Sequence, residues 1–446
     1  MSDPSTTETT AAPRRMPEEA HALLQMASLS QIAADGPLVI TEGRGNRLTD
    51  IEGREYIDAV NGLFNVNVGY GRSELAEVAA KTMRRLSFGS NFFARTTVEA
   101  LELSAKLAEV TPDGIDRFLL TVGGSDAVDT AIKLIRHANI LAGKPEKTTV
   151  IARRDGYHGM TMGGTTATGV KGLRERVGPL LPGVVHVGQP GPRPAGDGAT
   201  AEQLEAKIVE LGPDKVAAFL GEPIPLPPGL AIPPDDYWPA IREVCTRHDV
   251  RLIADEVING FGRTGRMFAS EHWGIDPDAM TMSKGITSGY VPLGAVGVRE
   301  ELYQQLLESD TILPHGFTAG GHPVACAVAL ANIRIIEDEG LVKNAATVGD
   351  YTNRCLRQFA DRHEAVVSVR SLGMLAAFDI DGAQIASDPE AAAQAGNLLT
   401  AELTRAGVFV RPYGNTMVFG PALTTTHTEI DEIFERFDGT LAQLTR

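Results

Sequence analysis

Six short apolar runs punctuate residues 117–298: FLLTV at 118–122, TTVIA at 148–152, VAAFL at 216–220, VRLIA at 250–254, AMTMS at 279–283 and GAVGV at 294–298. Segments with helical periodicity separate them. A strand that is apolar on both faces must be covered on both faces. Strands joined through helices pair side by side in parallel. The pattern therefore predicts an α/β domain, with a mostly parallel sheet between helical layers. Ahead of it, 16–36 reads as a helix with Leu23, Leu24, Met26, Leu29 and Ile32 on one face. Short strands follow at 38–42, 47–51 and 55–58, and Ser73 is a candidate N-cap for the next helix. Beyond His322 a helix over 324–339 leads into a mixed α+β segment, with strand candidates at 366–369, 374–380, 408–410 and 417–419. We expect a flexible tail over 1–15 and an N-terminal segment over 16–72 that joins the small domain. A large domain over 73–322 and a C-terminal small domain over 323–446 complete the division.

At 446 residues the chain can bury more than one core. Its formal net charge of −16 argues against nucleic acid or an anionic membrane as a general partner. Cys245, Cys326 and Cys355 are odd in number and scattered, which fits neither a disulfide framework nor a metal pattern. No HExxH-type spacing supports a metal site, so none is expected. No apolar stretch reaches membrane-spanning length. The first residues lack the apolar core of a signal peptide. A cytoplasmic enzyme is the expectation.

Two residues carry the chemistry. Asp255 interrupts one apolar run at its end, and Lys284 closes another. An acid and an amine at the ends of neighbouring strands suit a pyridinium cofactor: the amine condenses with an aldehyde, and the acid pairs with the ring nitrogen. Strand alternation directs Asp255 and Val257 to one side and Glu256 to the other. Gly123, Gly124 and Ser125 follow a strand and open a helix, an arrangement whose free N–H groups and dipole suit a phosphate. Tyr157 and His158 follow another strand, where an aromatic can stack on a ring. Gly260 to Gly265 spell GxGxxG, the pattern of a dinucleotide loop. The residues after it make a poor helix, and the motif falls in mid-chain, so an NAD-linked oxidoreductase is disfavoured.

With these residues in place, the chain resembles the class III aminotransferases, pyridoxal-phosphate enzymes of fold type I. The resemblance lies in DEVINGFGRTG at 255–265 and SKGITSGYVPLGA at 283–295. It extends to NGLFNVNVGYG at 61–71, HGFTAGGHPVACA at 315–327 and VRPYG at 410–414. It is nearest to the branch that uses amines or ω-amino acids with pyruvate. It implies a large domain with a mostly parallel seven-stranded sheet, a smaller α+β domain, and pyridoxal 5′-phosphate as cofactor. Lys284 would form the Schiff base and Asp255 would hold the pyridine nitrogen. Tyr157 and Val257 would flank the ring, with His158 and Glu222 close by. Gly124 and Ser125 would hold the phosphate, completed by Phe317 and Thr318 of a second subunit, so a homodimer or dimer of dimers is implied. Phe64 and Phe92 would line the substrate pocket beside Tyr157, and Arg411 would grip a substrate carboxylate. The chain departs from the family pattern in GGSD at 123–126, in Phe64 and Asn65, in PLPP at 225–228 and in Ala319. These positions bear on substrate preference.

The implied activity is a ping-pong transfer of an amino group from an amine or ω-amino acid to a keto acid, with pyruvate expected. A decarboxylase, racemase or aminomutase on the same fold is the alternative, because substrate orientation decides among these reactions. A non-catalytic binding protein is the other, set against the joint presence of Lys284 and Asp255.

Overall fold

The computed structural model describes residues 21–191, 197–309 and 311–445. The tail expected over 1–15, and the start of the helix expected from 16, lie outside them. The described part of that helix is only Leu29–Asp35, capped by the Ser28 hydroxyl, and none of its residues is buried. With no surface to cover, its apolar face cannot extend it. Strands β1 (Ile40–Arg44), β2 (Arg47–Asp50) and β3 (Glu55–Asp58) form an antiparallel meander. The next helix, Ser73–Arg85, has Arg72 at its boundary and no side-chain cap. Ser73 is thus its first helical residue rather than its N-cap.

The large sheet has seven strands: β4 (Ile115–Thr121), β5 (Thr149–Arg153), β6 (Val184–Val187), β7 (Val216–Gly221), β8 (Arg251–Asp255), β9 (Ala279–Met282) and β10 (Gly294–Arg299). Their order is β4-β10-β9-β8-β7-β5-β6. β10 runs antiparallel to both its neighbours, while the pairs from β9 to β6 are parallel. Alternate residues serve opposite layers. Val150, Leu220 and Ile253 pack with the helix Gly124–Leu141, whereas Ile151, Phe219 and Leu252 pack with the helices Ala201–Leu211 and Tyr237–Arg247. This is the two-sided burial that the apolar runs demand. β6 is the strand those runs do not include. It lies at the sheet edge, carries His186 and is only half-buried over most of its length.

The helix Pro323–Asp338 begins at His322, close to expectation, and leads into the helix Leu341–Arg362. Strands β11 (Val366–Leu372), β12 (Leu375–Ile380), β13 (Val408–Phe409), β14 (Arg411–Tyr413) and β15 (Thr416–Phe419) follow. Four of them form an antiparallel sheet in the order β11-β12-β15-β14. β13 instead joins β3 in parallel and ties the two ends of the chain together. β14 was not expected, because Arg411 and Pro412 break the apolar pattern. Its edge position tolerates that proline.

No helix follows the GxGxxG segment, only turns and one 3-10 turn at Ala269–His272. The segment serves as a clasp. Arg263, fully buried, donates to Asn67 Oδ1 (2.7 Å), Gly420 O (3.0 Å) and Pro421 O (2.5 Å).

Candidate active site

Charged side chains gather at the carboxyl ends of four adjacent strands. Arg153 ends β5, Glu222 follows β7, Asp255 ends β8 and Lys284 lies just past β9. In an open α/β sheet this edge is where ligands bind. Asp255 is buried and held from three sides. Its Oδ1 accepts from Thr281 Oγ1 (3.0 Å) and Val257 N (3.1 Å), and its Oδ2 lies 2.7 Å from His158 Nδ1. Glu256 turns the other way, as alternation requires. It receives Ala269 N, Ser270 N and Ser270 Oγ, and burial pushes its carboxyl up to about 7.

His158 is buried between two carboxylates, with Nε2 3.6 Å from Glu222 Oε2. Burial opposes its positive charge. The Glu222 charge and the Asp255 hydrogen bond outweigh that opposition and raise its proton affinity. Glu222 in turn accepts Tyr157 N at Oε1 (2.8 Å) and pairs with fully buried Arg153 at Oε2 (3.2 Å). The Arg153 guanidinium also lies over the Trp238 ring, 5.3 Å from its centre. The chain Arg153–Glu222–His158–Asp255 fixes both the tyrosine backbone and the acid.

Lys284 opens the 3-10 turn Lys284–Ile286 with φ +50°, a left-handed conformation unusual for a side chain of its size. Asn332 Nδ2 holds the turn by donating to Gly285 O (2.8 Å) and Ile286 O (3.0 Å). On the other side a Cβ at Gly285 would come within 2.5 Å of Asn67 Nδ2. Burial pulls the lysine amine down to about 8, against the opposing pull of Asp255.

The helix Gly124–Leu141 starts at this cavity from Gly123, with no side chain capping its first turn. Ser125 Oγ accepts from Met160 N (3.1 Å), which leaves its own proton to meet an anion. Uncapped N–H groups facing a cavity are an anion site. Gly124 is tightly seated, since a Cβ there would come 2.8 Å from Val257 Cγ1. The cavity has about 600 Å³ of atom-free space including its mouth. Its walls include Gly124, Ser125, Tyr157, His158, Glu222, Asp255, Val257 and Lys284. An anion-binding end, an acid and a nucleophilic amine around one cavity fit pyridoxal phosphate. Among the described residues no cluster could hold a metal ion, and no helix is long and apolar enough to cross a membrane.

Five expected residues, two of them expected from a second subunit, are not among those lining this cavity. Phe64 is 4% exposed and packs in the core with Leu375 and Val418 rather than in the cavity wall. Phe92 and Phe317 line a separate groove, and Thr318 is exposed. Arg411 sits 5.8 Å from the Tyr413 ring centre, and its charge is felt at Tyr157. Sequence reading missed Thr281, Arg153, Asn67 and Asn332. Thr281 was within reach, since it pairs in register with Asp255 once β8 and β9 are neighbours. Arg153, a cation closing an apolar run, was a second available signal. The two asparagines act across long sequence separations that leave no local pattern.

The family model for aminotransferase class-III matches residues 30–441. A putrescine–pyruvate aminotransferase of Pseudomonas aeruginosa is 40% identical over 423 residues, covering 93% of this chain and 92% of that protein. A diaminobutyrate–2-oxoglutarate transaminase of Halomonas elongata is 38% identical over 428 residues, covering 91% and 90%. The crystal structure of an (S)-enantioselective omega-transaminase from Thermomicrobium roseum superposes with a TM-score of 0.90 at 40% identity, covering 96% of this chain and 97% of that one.

Proposed function

The chain belongs to the class-III aminotransferases, and on that premise we propose that it binds pyridoxal 5′-phosphate and transfers an amino group from an amine or ω-amino acid to pyruvate. The observation that carries this reading is the convergence of Lys284, Asp255 and the uncapped helix start at Gly124–Ser125 on one cavity. When bound, the cofactor supplies an aldehyde that condenses with amines and a ring that takes up the electrons left when a carbon loses its proton. Lys284 would hold the aldehyde end. Its Nζ would also serve as the base that takes up and returns the substrate carbon's proton. An amine held near 8 is partly neutral at physiological pH and can accept that proton. Asp255, fixed by Thr281, Val257 N and His158, would keep the ring nitrogen charged. Tyr157 and Val257 would flank the ring, and Gly124 and Ser125 would bind the phosphate. Arg411 would receive the acceptor's carboxylate.

The relatives' names point to both pyruvate and 2-oxoglutarate as acceptors. The likeness to the putrescine–pyruvate enzyme supports pyruvate here. Phe317 and Thr318, which do not line the chain's own cavity, support a shared site in a homodimer; a cytoplasmic location completes the proposal. The test follows cofactor absorbance in the holoenzyme while putrescine, ω-amino acids and simple amines are added, and then pyruvate or 2-oxoglutarate. A donor should bleach the absorbance and pyruvate should restore it, with Lys284→Ala inert. Failure of every donor, or restoration by 2-oxoglutarate alone, would overturn the activity or the acceptor respectively.

A further inference from the structure

Between the helices Glu300–Glu308 and Pro323–Asp338 the described residues form no further helix or strand. Ile312 is 91% exposed, yet His315 is tied down at both ring nitrogens. Nε2 lies 2.7 Å from Thr130 Oγ1 and Nδ1 lies 2.8 Å from Lys133 Nζ. Both partners stand on the helix Gly124–Leu141, whose first turn is the anion site. The proton positions follow from the partners. Thr130 Oγ1 already donates to Asp126 O (2.6 Å), so it must accept from Nε2–H. A lysine ammonium only donates, so Nδ1 must be bare. The ring is neutral and its tautomer is fixed.

The rest of the turn is packed from this anchor. The Phe317 ring meets His315 edge-on at 5.1 Å. A Cβ at Gly316 would come 2.6 Å from Phe92 Cζ, and one at Gly320 would come 2.6 Å from Leu120 O. Gly320 N closes the turn on Phe317 O (2.9 Å). Thr318 is left exposed at its tip.

We infer that His315 is a positioning residue for cofactor retention in the partner subunit, pinning the Phe317–Thr318 turn to the helix that carries its own subunit's anion site. This rests on the reading that the turn completes the partner's phosphate pocket. The groups that face His315 are Lys133 from the helix, with Arg95, Arg117 from β4 and Tyr303 from Glu300–Glu308 lining the same groove. Asp126 lies one helical turn from Thr130. Burial and then Lys133 disfavour the protonated ring. The clasp is therefore intact above the ordinary imidazole value near 6.5 and is lost as pH falls through it to the lower folded value.

The test measures the rate of pyridoxal phosphate release from holoenzyme on dilution. His315→Ala should speed release about tenfold, the effect of losing two anchoring hydrogen bonds, while the apo-protein still unfolds in one cooperative transition. His315→Gln, which keeps a donor toward Thr130, should recover much of the loss. Wild-type release should accelerate below about pH 6.5, and His315→Gln should show a shallower rise over that range. Mixed dimers locate the effect. With Lys284→Ala and His315→Ala on one protomer, the remaining competent site lies in the wild-type partner and should release quickly. With the two substitutions on opposite protomers, release should stay slow. The reverse pattern, or a His315→Gln profile as steep as wild type, overturns the positioning role. Thr318→Ala separates the two readings. If it leaves release unchanged, the shared pocket itself is wrong and this inference falls with it; if it speeds release while both His315 variants do not, only the inference falls.

Discussion

Burial and one facing carboxylate act in opposite directions on Lys284, and burial wins, leaving its amine near 8. Between about 8 and the ordinary lysine value near 10.4, the unfolded chain holds a proton that the folded chain has released. Apo-protein stability from this group therefore rises with pH across that window. Lys284→Met should flatten the slope of urea midpoint against pH there. Reductive methylation of Lys284 in the apo-protein, followed by mass spectrometry, should reach half its maximal rate near pH 8. Asp255→Asn removes the charge that supports the ammonium, so that midpoint should move lower; a rise would contradict the assignment. Both residues were legible because each is a charge at the end of an apolar run, which is costly without a purpose. The side chains that set their behaviour were less so. Thr281 holds Asp255 through strand register and Asn332 holds the lysine turn from a helix 47 residues on, and neither relation leaves a mark in local sequence.

The 124–141 helix and the strands it covers were readable from periodicity alone, because one element buries one face and the pattern repeats. Elements at edges were not. β6 and β14 carry His186 and Pro412, which an interior strand would exclude, and only tertiary position admits them. The seating of the helix start against the loop after β8 was also hidden, and it yields a prediction. In Gly124→Ala the new methyl would stand 2.8 Å from Val257 Cγ1 and 3.2 Å from its Cγ2. Overpacking of this kind costs about 1–3 kcal/mol. Denaturant melts should show that loss in Gly124→Ala and recover most of it in the double variant with Val257→Ala, where the colliding branch is gone. An equal loss in both backgrounds would mean that another contact is responsible.

At the scale of the molecule, GxGxxG shows how far a motif can be separated from its usual use. The local string fits a dinucleotide loop, but this chain spends it on a junction of three distant segments. Arg263 reaches Asn67 near one end of the chain and the carbonyls of Gly420 and Pro421 near the other. Burial lowers its proton affinity to about 9, partly opposed by the Asp58 charge. Arg263→Ala would leave three buried acceptors without a donor, each worth about 1–3 kcal/mol, so a loss of at least about 3 kcal/mol is expected in urea unfolding. The damage should reach the chemistry as well. Asn67, left with only its donation to Phe261 O (2.8 Å) once Arg263 is gone, is the side chain that closes on Gly285, beside the lysine. Cofactor release should therefore quicken in Arg263→Ala even at temperatures where the protein remains folded. Arg263→Lys should rescue little, since one ammonium cannot span a fork-shaped set of acceptors. A variant within about 0.5 kcal/mol of wild type would show that the three segments hold together without the clasp.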